Sequence, residues 1–302
     1  MKSKLIFWGT PLFAVPSLKS LHDLALVSAV ISQPDRPAGR GKKLVSSPVK
    51  EYAKQNNIDV LEPSHLDEAF VLELKKYLPA TFVVVAYGKI IPQDVLDLSE
   101  LLALNIHPSA LPILRGPSPI QTAILKGFET TAVSLMQLDK KMDHGPILGQ
   151  IEAKIEPNED YIELSERLSS IGADLLTNKI RDYLDGKLTP QVQDDSQATF
   201  CKMIKKEDGK IDWQDTAINI HNKVRAYRAW PSAFTTIKDI DIKIIKTKIV
   251  DKNLQPAEIF IEKDEFIIGT GDKSLQVLEL QPSGKKIMTA SEFLRGYQNK
   301  LK

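Results

Sequence analysis

Asn105-Ile106-His107 closes an apolar run at 101–106 and leads into the turn Pro108-Ser109-Ala110-Leu111-Pro112. Side chains alternate along a strand, so Asn105 and His107 project from one face. If the run is a strand of an open α/β sheet, the pair stands in the crevice beyond its carboxyl end, where such sheets bind ligands. There an amide N–H can donate to a developing oxyanion, and an imidazole can hold or move a proton. A second group, Asp139-Lys140-Lys141-Met142-Asp143-His144-Gly145-Pro146, also follows a predicted strand. A carboxylate at Asp143 would orient His107 and favour its charged form. The same residue types also suit a strand end whose Asn and His cap backbone, and an Asp-His-Gly turn between strands; spacing alone leaves both readings open. A third group, Gln33-Pro34-Asp35-Arg36-Pro37-Ala38-Gly39-Arg40-Gly41-Lys42-Lys43, sets four cations against one carboxylate without an apolar anchor. It reads as an exposed, mobile loop suited to phosphate contacts, or as a solvated charge run.

The elements around these groups alternate. Apolar or β-branched runs at 4–9, 26–31, 58–61, 81–86, 101–106 and 132–138 are separated by helical spacing at 13–21, 49–56 and 67–77, and a long helical pattern covers 161–184. The run Thr81-Phe82-Val83-Val84-Val85-Ala86 has no polar alternation, as in a parallel strand covered on both faces. The pattern predicts a Rossmann-like, doubly wound α/β domain with a mainly parallel sheet over residues 1–189. A polar, aperiodic stretch at 190–206 reads as a linker. A helix at 216–227 and five short β-branched runs at 233–237, 243–250, 258–261, 266–269 and 275–280 predict a small OB-like β-barrel over 207–302. Lys223, Arg225 and Arg228 on the helix, with Lys243, Lys246 and Lys248 on a strand, form a candidate basic stripe.

Several function classes drop out. The first strand ends in Gly9-Thr10-Pro11 rather than a Gly-x-Gly-x-x-Gly turn, so a dinucleotide site is unsupported where its phosphate turn belongs. The single Cys201 excludes an intramolecular disulfide framework and a cysteine zinc site. His22, His65, His144 and His221 have no ligand-like spacing, so no metal is expected. No apolar run reaches membrane-spanning length, so no membrane partner is expected. The balanced net charge of +1 over 302 residues leaves any polyanion site to local clustering.

Taken with Phe7-Trp8-Gly9-Thr10-Pro11, Val83-Val84-Val85-Ala86-Tyr87-Gly88, Leu114-Arg115-Gly116-Pro117-Ser118-Pro119-Ile120-Gln121, Ile211-Asp212-Trp213 and Leu280-Gln281-Pro282-Ser283-Gly284-Lys285-Lys286, these groups span nearly the whole chain. Together they resemble the formyltransferase family that uses 10-formyltetrahydrofolate, and most closely its branch acting on charged initiator tRNA. The resemblance implies transfer of the formyl group of 10-formyltetrahydrofolate, a co-substrate, to the α-amino group of methionyl initiator tRNA. It implies catalysis by Asn105, His107 and Asp143. Ser109, Ala110, Leu111 and Pro112 would border the folate, and Arg36, Arg40, Lys42 and Lys43 would engage the tRNA acceptor end. A monomer in a bacterial-type cytoplasm is expected. Trp8, Pro108 and Pro117-Ser118 depart from the family pattern and bear on the local shape of the folate pocket. The nearest rival is a sister formyltransferase acting on a sugar amine or on glycinamide ribonucleotide, against which stand the basic loop and the second, β-rich domain.

Overall fold

The computed structural model describes residues 4–38 and 43–301. The first strand, β1 (Leu5–Gly9), is buried along its full length and has a parallel strand on each side. After it the chain forms α1 (Val15–Asp23), β2 (Val27–Ile31), a short hairpin of β3 (Arg36–Ala38) and β4 (Lys43–Val45), α2 (Pro48–Gln55), β5 (Val60–Leu61) and α3 (Glu68–Leu74). It continues through β6 (Thr81–Val85), α4 (Gln93–Leu96), β7 (Leu104–His107), α5 (Pro119–Leu125), β8 (Thr130–Gln137), β9 (Ile147–Lys154) and α6 (Tyr161–Leu184). The seven strands line up as β5-β2-β1-β6-β7-β8-β9, parallel from β5 to β7 and antiparallel between β7 and β8. The order reverses between β1 and β6. Loops leaving that point diverge, and the crevice they leave is where an open sheet binds its ligand.

Local chemistry explains the boundaries. Ser47 and Asp67 cap α2 and α3 by accepting from the N–H groups of Lys50 and Phe70. The expected helix at 13–21 begins as a 3-10 turn at Leu12–Ala14, with Pro16 in the first turn of α1 where a missing N–H costs nothing. The strand expected at 101–106 starts later, and Leu101 and Leu102 are exposed. The basic segment expected to be unanchored has paired ends: β3 and β4 are antiparallel, with Pro37 opposite Leu44. Trp8, buried, packs edge-on against Phe70 and Tyr87.

By contacts the chain forms two units. The first comprises Met1–Gly116, Thr131–Ala153 and Ser165–Phe200, and the second Pro117–Thr130, Lys154–Leu164 and Cys201–Lys302. In the second, α7 (Ala217–Ala226) precedes β10 (Ala233–Ile237), β11 (Ile240–Val250), β12 (Ile259–Glu262), β13 (Glu265–Gly269), β14 (Ser274–Pro282), β15 (Met288–Thr289) and α8 (Ala290–Leu301). The antiparallel order is β10-β11-β14-β13-β12, with β15 beside β14. The pairing of β11 with β14 is irregular between Ile244 and Thr247, where Ile245 and Leu278 are each passed over, so the register on either side is the same. Across that irregularity the alternation changes step: Lys243, Lys246 and Lys248 are exposed while Ile242, Ile244, Ile245 and Thr247 are buried. The helical half of the expected basic stripe is corrected. Arg225 is buried, donating to the carbonyls of Glu156 and Glu159 and to Asn222, and Arg228 pairs with Asp160 at 3.3 Å.

His221, also in this unit, is buried on α7 with Nδ1 2.9 Å from Thr247 Oγ1. Burial, reinforced by the neighbouring Arg225 guanidinium, pushes its imidazole down to about 4. Below pH ~6.5 the unfolded chain takes up a proton that the folded chain refuses until about pH 4. Its contribution is therefore complete above pH ~6.5 and lost between there and pH 4, amounting to roughly 3 kcal/mol. Urea unfolding at pH 7 and pH 4 should show this loss in the wild type and a correspondingly smaller one in His221→Gln; equal losses would refute it.

Candidate active site

β7 carries Asn105 and His107 to its carboxyl end, between Val84 of β6 and Met136 and Ser134 of β8. Both side chains are almost wholly buried. His107 Nε2 lies 3.0 Å from the carbonyl oxygen of Leu114, and Nδ1 lies 3.7 Å from Asp143 Oδ1. A carbonyl can only accept, so Nε2 carries a proton. Nδ1 is then the ring nitrogen left to share a proton with Asp143 or with a reacting atom beside the pair. The other carboxylate oxygen of Asp143 accepts from the N–H of Gly116 at 2.8 Å, which turns Oδ1 toward the ring. The Asn105 amide makes no hydrogen bond to another described residue, leaving its N–H group available to a ligand. The structure thus sets Asp143 beside His107, with Asn105 two residues before His107 on the same strand.

The turn bearing Asp143 is tightly shaped. Asp143 has φ +51°, in the left-handed region that few side chains adopt, though Asp tolerates it better than most. Two residues on, a Cβ on Gly145 would fall 2.0 Å from the carbonyl oxygen of Gln137, so the chain can double back only with glycine there. His144, whose spacing is not that of a metal ligand, bonds Asp139 through Nδ1 at 2.6 Å and lies 3.3 Å from Asp195 through Nε2.

The turn after His107 is stitched internally. Ser109 Oγ donates to the carbonyl of Ile113 at 2.6 Å, and Ser134 Oγ donates to that of Ser109 at 2.6 Å. Gln150 donates to the carbonyl of Leu111 and to Ser134. Ser109 and Leu111 are therefore buried parts of the loop, whereas Ala110 and Pro112 are half-buried and partly accessible.

A cavity of about 310 Å³ opens at the point where the strand order reverses, lined by Thr10, Gln33, Arg36, Val45, Ala86 and Tyr87 among others. Arg36 reaches Gln33 Oε1 at 3.3 Å. Trp8 does not line this cavity; it backs Tyr87, which does, so its bulk is taken up by the core. Burial pushes the Tyr87 phenol up to about 12. Of the other basic residues predicted to meet tRNA, Arg40 and Lys42 lie outside the described residues, and Lys43 is described only as the first residue of β4. A second cavity, of about 330 Å³, is lined by Arg115, Lys141, Met142, His144, Asp195, Ala198 and Phe200. The Arg115 guanidinium beside Asp195 holds that carboxyl below the usual range. Among the described residues no group of three His, Cys, Asp or Glu side chains is placed to hold a metal ion, and no helix is long and apolar enough to cross a membrane.

Residues 1–180 match the family model described as formyl transferase, and residues 203–298 match the formyl transferase C-terminal domain. The chain belongs to the formyl transferase family. A protein of Thermodesulfovibrio yellowstonii named methionyl-tRNA formyltransferase is 42% identical over 298 residues, covering 98% of this chain and 96% of that protein. A Roseiflexus protein of the same name is 41% identical over 302 residues, covering 98% and 93%. Among solved structures, an N-formyltransferase from Helicobacter canadensis in complex with folinic acid and dTDP-3-aminofucose superposes with a TM-score of 0.70 at 24% identity, covering 93% of this chain and 99% of that one. The sugar 3N-formyl transferase WlaRD, in the presence of dTDP and 5-N-formyl-THF, gives 0.71 at 23% identity, with 95% of this chain covered. These likenesses are of fold. Since they extend over almost the whole chain, a β-rich second unit does not by itself separate acceptors within the family.

Sequence reading missed Gln193 and Thr199, which belong to the aperiodic stretch taken as a linker, and gave no role to Arg115. Gln193 is buried and contacts the turn of Asp143, and Thr199 Oγ1 accepts from the N–H of Leu114 at 2.9 Å. Polar residues without periodicity carry no sequence signal of such contacts.

Proposed function

We propose that this chain transfers the formyl group of 10-formyltetrahydrofolate to the α-amino group of methionyl initiator tRNA, acting in the cytoplasm. The observation that carries the reading is the meeting of His107 and Asp143 beside Asn105, in a chain about two-fifths identical, end to end, to proteins named for that reaction. An α-amino group has a pKa of about 7.7–8.0, so much of it is already neutral near pH 7.5 and attacks with modest help. The amine nitrogen bonds to the formyl carbon, and the carbonyl electron pair moves to oxygen. The Asn105 amide donates to that oxyanion, and the proton on His107 Nδ1 stabilises it or passes to the leaving nitrogen of the folate. As the old carbon–nitrogen bond breaks, the new amide sheds its extra proton and the imidazole regains one. Asp143 orients the ring and balances its charge.

The half-buried backbone of Ala110 and Pro112, with Ser109 and Leu111 shaping the loop behind them, serves the folate. Arg36, with Arg40, Lys42 and Lys43, serves the acceptor end of the tRNA, where cations neutralise phosphates. The experiment is a formyl-transfer assay with methionyl initiator tRNA, uncharged tRNA and amino-sugar nucleotides side by side. Product on the charged tRNA alone is expected. Transfer to an amino sugar with the charged tRNA inert would overturn the acceptor while leaving the three site residues in place.

A further inference from the structure

Residues 191–200 run past the active site as a strap. Gln191 pairs with Ile147 in a β-bridge, and Thr199 exchanges hydrogen bonds with the chain at Pro112, Leu114 and Arg115. Between them Gln193, almost wholly buried, donates through Nε2 to the carbonyls of Asp143 at 3.0 Å and Gly145 at 2.7 Å. Its Oε1 accepts from Arg115 Nε at 3.0 Å and Nη2 at 2.8 Å, and Nη2 also donates to Asp195 Oδ1 at 2.8 Å. Arginine can only donate and the two carbonyls can only accept, so these partners set which way the amide faces. No other side chain of this size offers an acceptor on one edge and a double donor on the other.

Of the two carbonyls that Gln193 clamps, one belongs to Asp143, whose carboxylate faces His107, and the other lies two residues on. Asp143 holds a left-handed φ of +51°, a conformation that persists when its surroundings over-determine it. We infer that Gln193, itself oriented by Arg115, is a positioning residue that holds the Asp143 turn so that Oδ1 faces His107 Nδ1. It touches neither substrate and acts through Asp143. Fixing such a group within a fraction of an ångström is what a supporting hydrogen bond contributes to catalysis. The inference rests on the catalytic assignment of Asp143 made above.

The test uses the full-length enzyme in single-turnover formyl transfer from 10-formyltetrahydrofolate to methionyl initiator tRNA. Gln193→Leu keeps the approximate volume and removes both edges of the amide; Gln193→Glu keeps the acceptor for Arg115 and removes the donors to the carbonyls. Each variant is expected to lower the rate of the chemical step by about 10–100-fold, the range reported by mutation of outer-shell partners at other sites. In steady-state assays KM for both substrates should stay within about twofold, and the pH–rate profile should shift. Val192→Ala, in the same strap but exposed, should behave as wild type. In an Asp143→Asn background, Gln193→Glu should cost nothing further, because a residue acting through another loses its effect with it. A wild-type rate for Gln193→Glu, or an additive loss in the double variant, would overturn the inference. An undiminished rate for Asp143→Asn alone would instead overturn the catalytic reading on which it rests. If Gln193→Leu does not fold, Gln193→Glu carries the test alone.

Discussion

His107→Ala is expected to lower turnover by about 10²–10⁴-fold, the range supplied by a positioned proton donor and acceptor. The ring is placed for that task. Nε2 is anchored on the Leu114 carbonyl at 3.0 Å, which sets the ring plane, and Nδ1 faces Asp143 at 3.7 Å. That separation is longer than a direct hydrogen bond, so Nδ1 is not locked to the carboxylate and can turn to a reacting atom beside the pair. Alanine also strips the Leu114 carbonyl of its imidazole partner, while Ser109 Oγ remains 3.5 Å from it. Loss of a buried partner costs about 1–3 kcal/mol of stability, which a thermal melt separates from the kinetic loss. His107→Gln can still donate to Leu114 but cannot shuttle a proton. It should recover stability without recovering turnover. Activity within about fivefold of wild type in either variant would remove His107 from the chemistry.

Asn105→Ala should cost about 10²–10³-fold in kcat, the usual effect of deleting one oxyanion donor. The loss should fall on kcat and on kcat/KM alike, with folate affinity nearly unchanged, because a donor aimed at charge that develops only in the transition state contributes little to ground-state binding. The Asn105 amide is buried and has no protein partner among the described residues, so its truncation leaves no other group unsatisfied. Asn105→Asp tests the sign of the effect: a carboxylate of the same shape beside a forming oxyanion should be at least as damaging as alanine. The idea fails if Asn105→Ala turns over within a few-fold of wild type, or if its entire deficit appears as weakened folate binding.

The remaining contrast is between what local patterning reveals and what it conceals. The fully apolar runs at Leu5–Gly9 and Thr81–Val85 announced buried parallel strands, since a strand covered on both faces has no polar positions to show. The Asn105-Ile106-His107 triplet announced a shared face for the same reason of period. The helix α8 is absent from the sequence reading although Ala290, Phe293, Leu294, Tyr297 and Leu301 recur at helical spacing, with Gly296 interrupting the run. Arg225 looked like part of a basic surface, yet carbonyls from a segment more than 60 residues earlier receive it in the interior.

By itself, then, the sequence determined the alternating sheet and marked the strand end and the residue types proposed for the chemistry. These are matters of period and composition, carried by neighbours in the chain. Only the tertiary structure decided that Asp143 reaches His107, that Nε2 is anchored and Nδ1 is open, and that the segment at 191–200 is a strap holding the Asp143 turn. Those facts rest on hydrogen bonds between residues distant in sequence, such as Arg115 with Gln193 and Leu114 with Thr199. A single long-range partner leaves no periodic trace in the chain that folds to meet it.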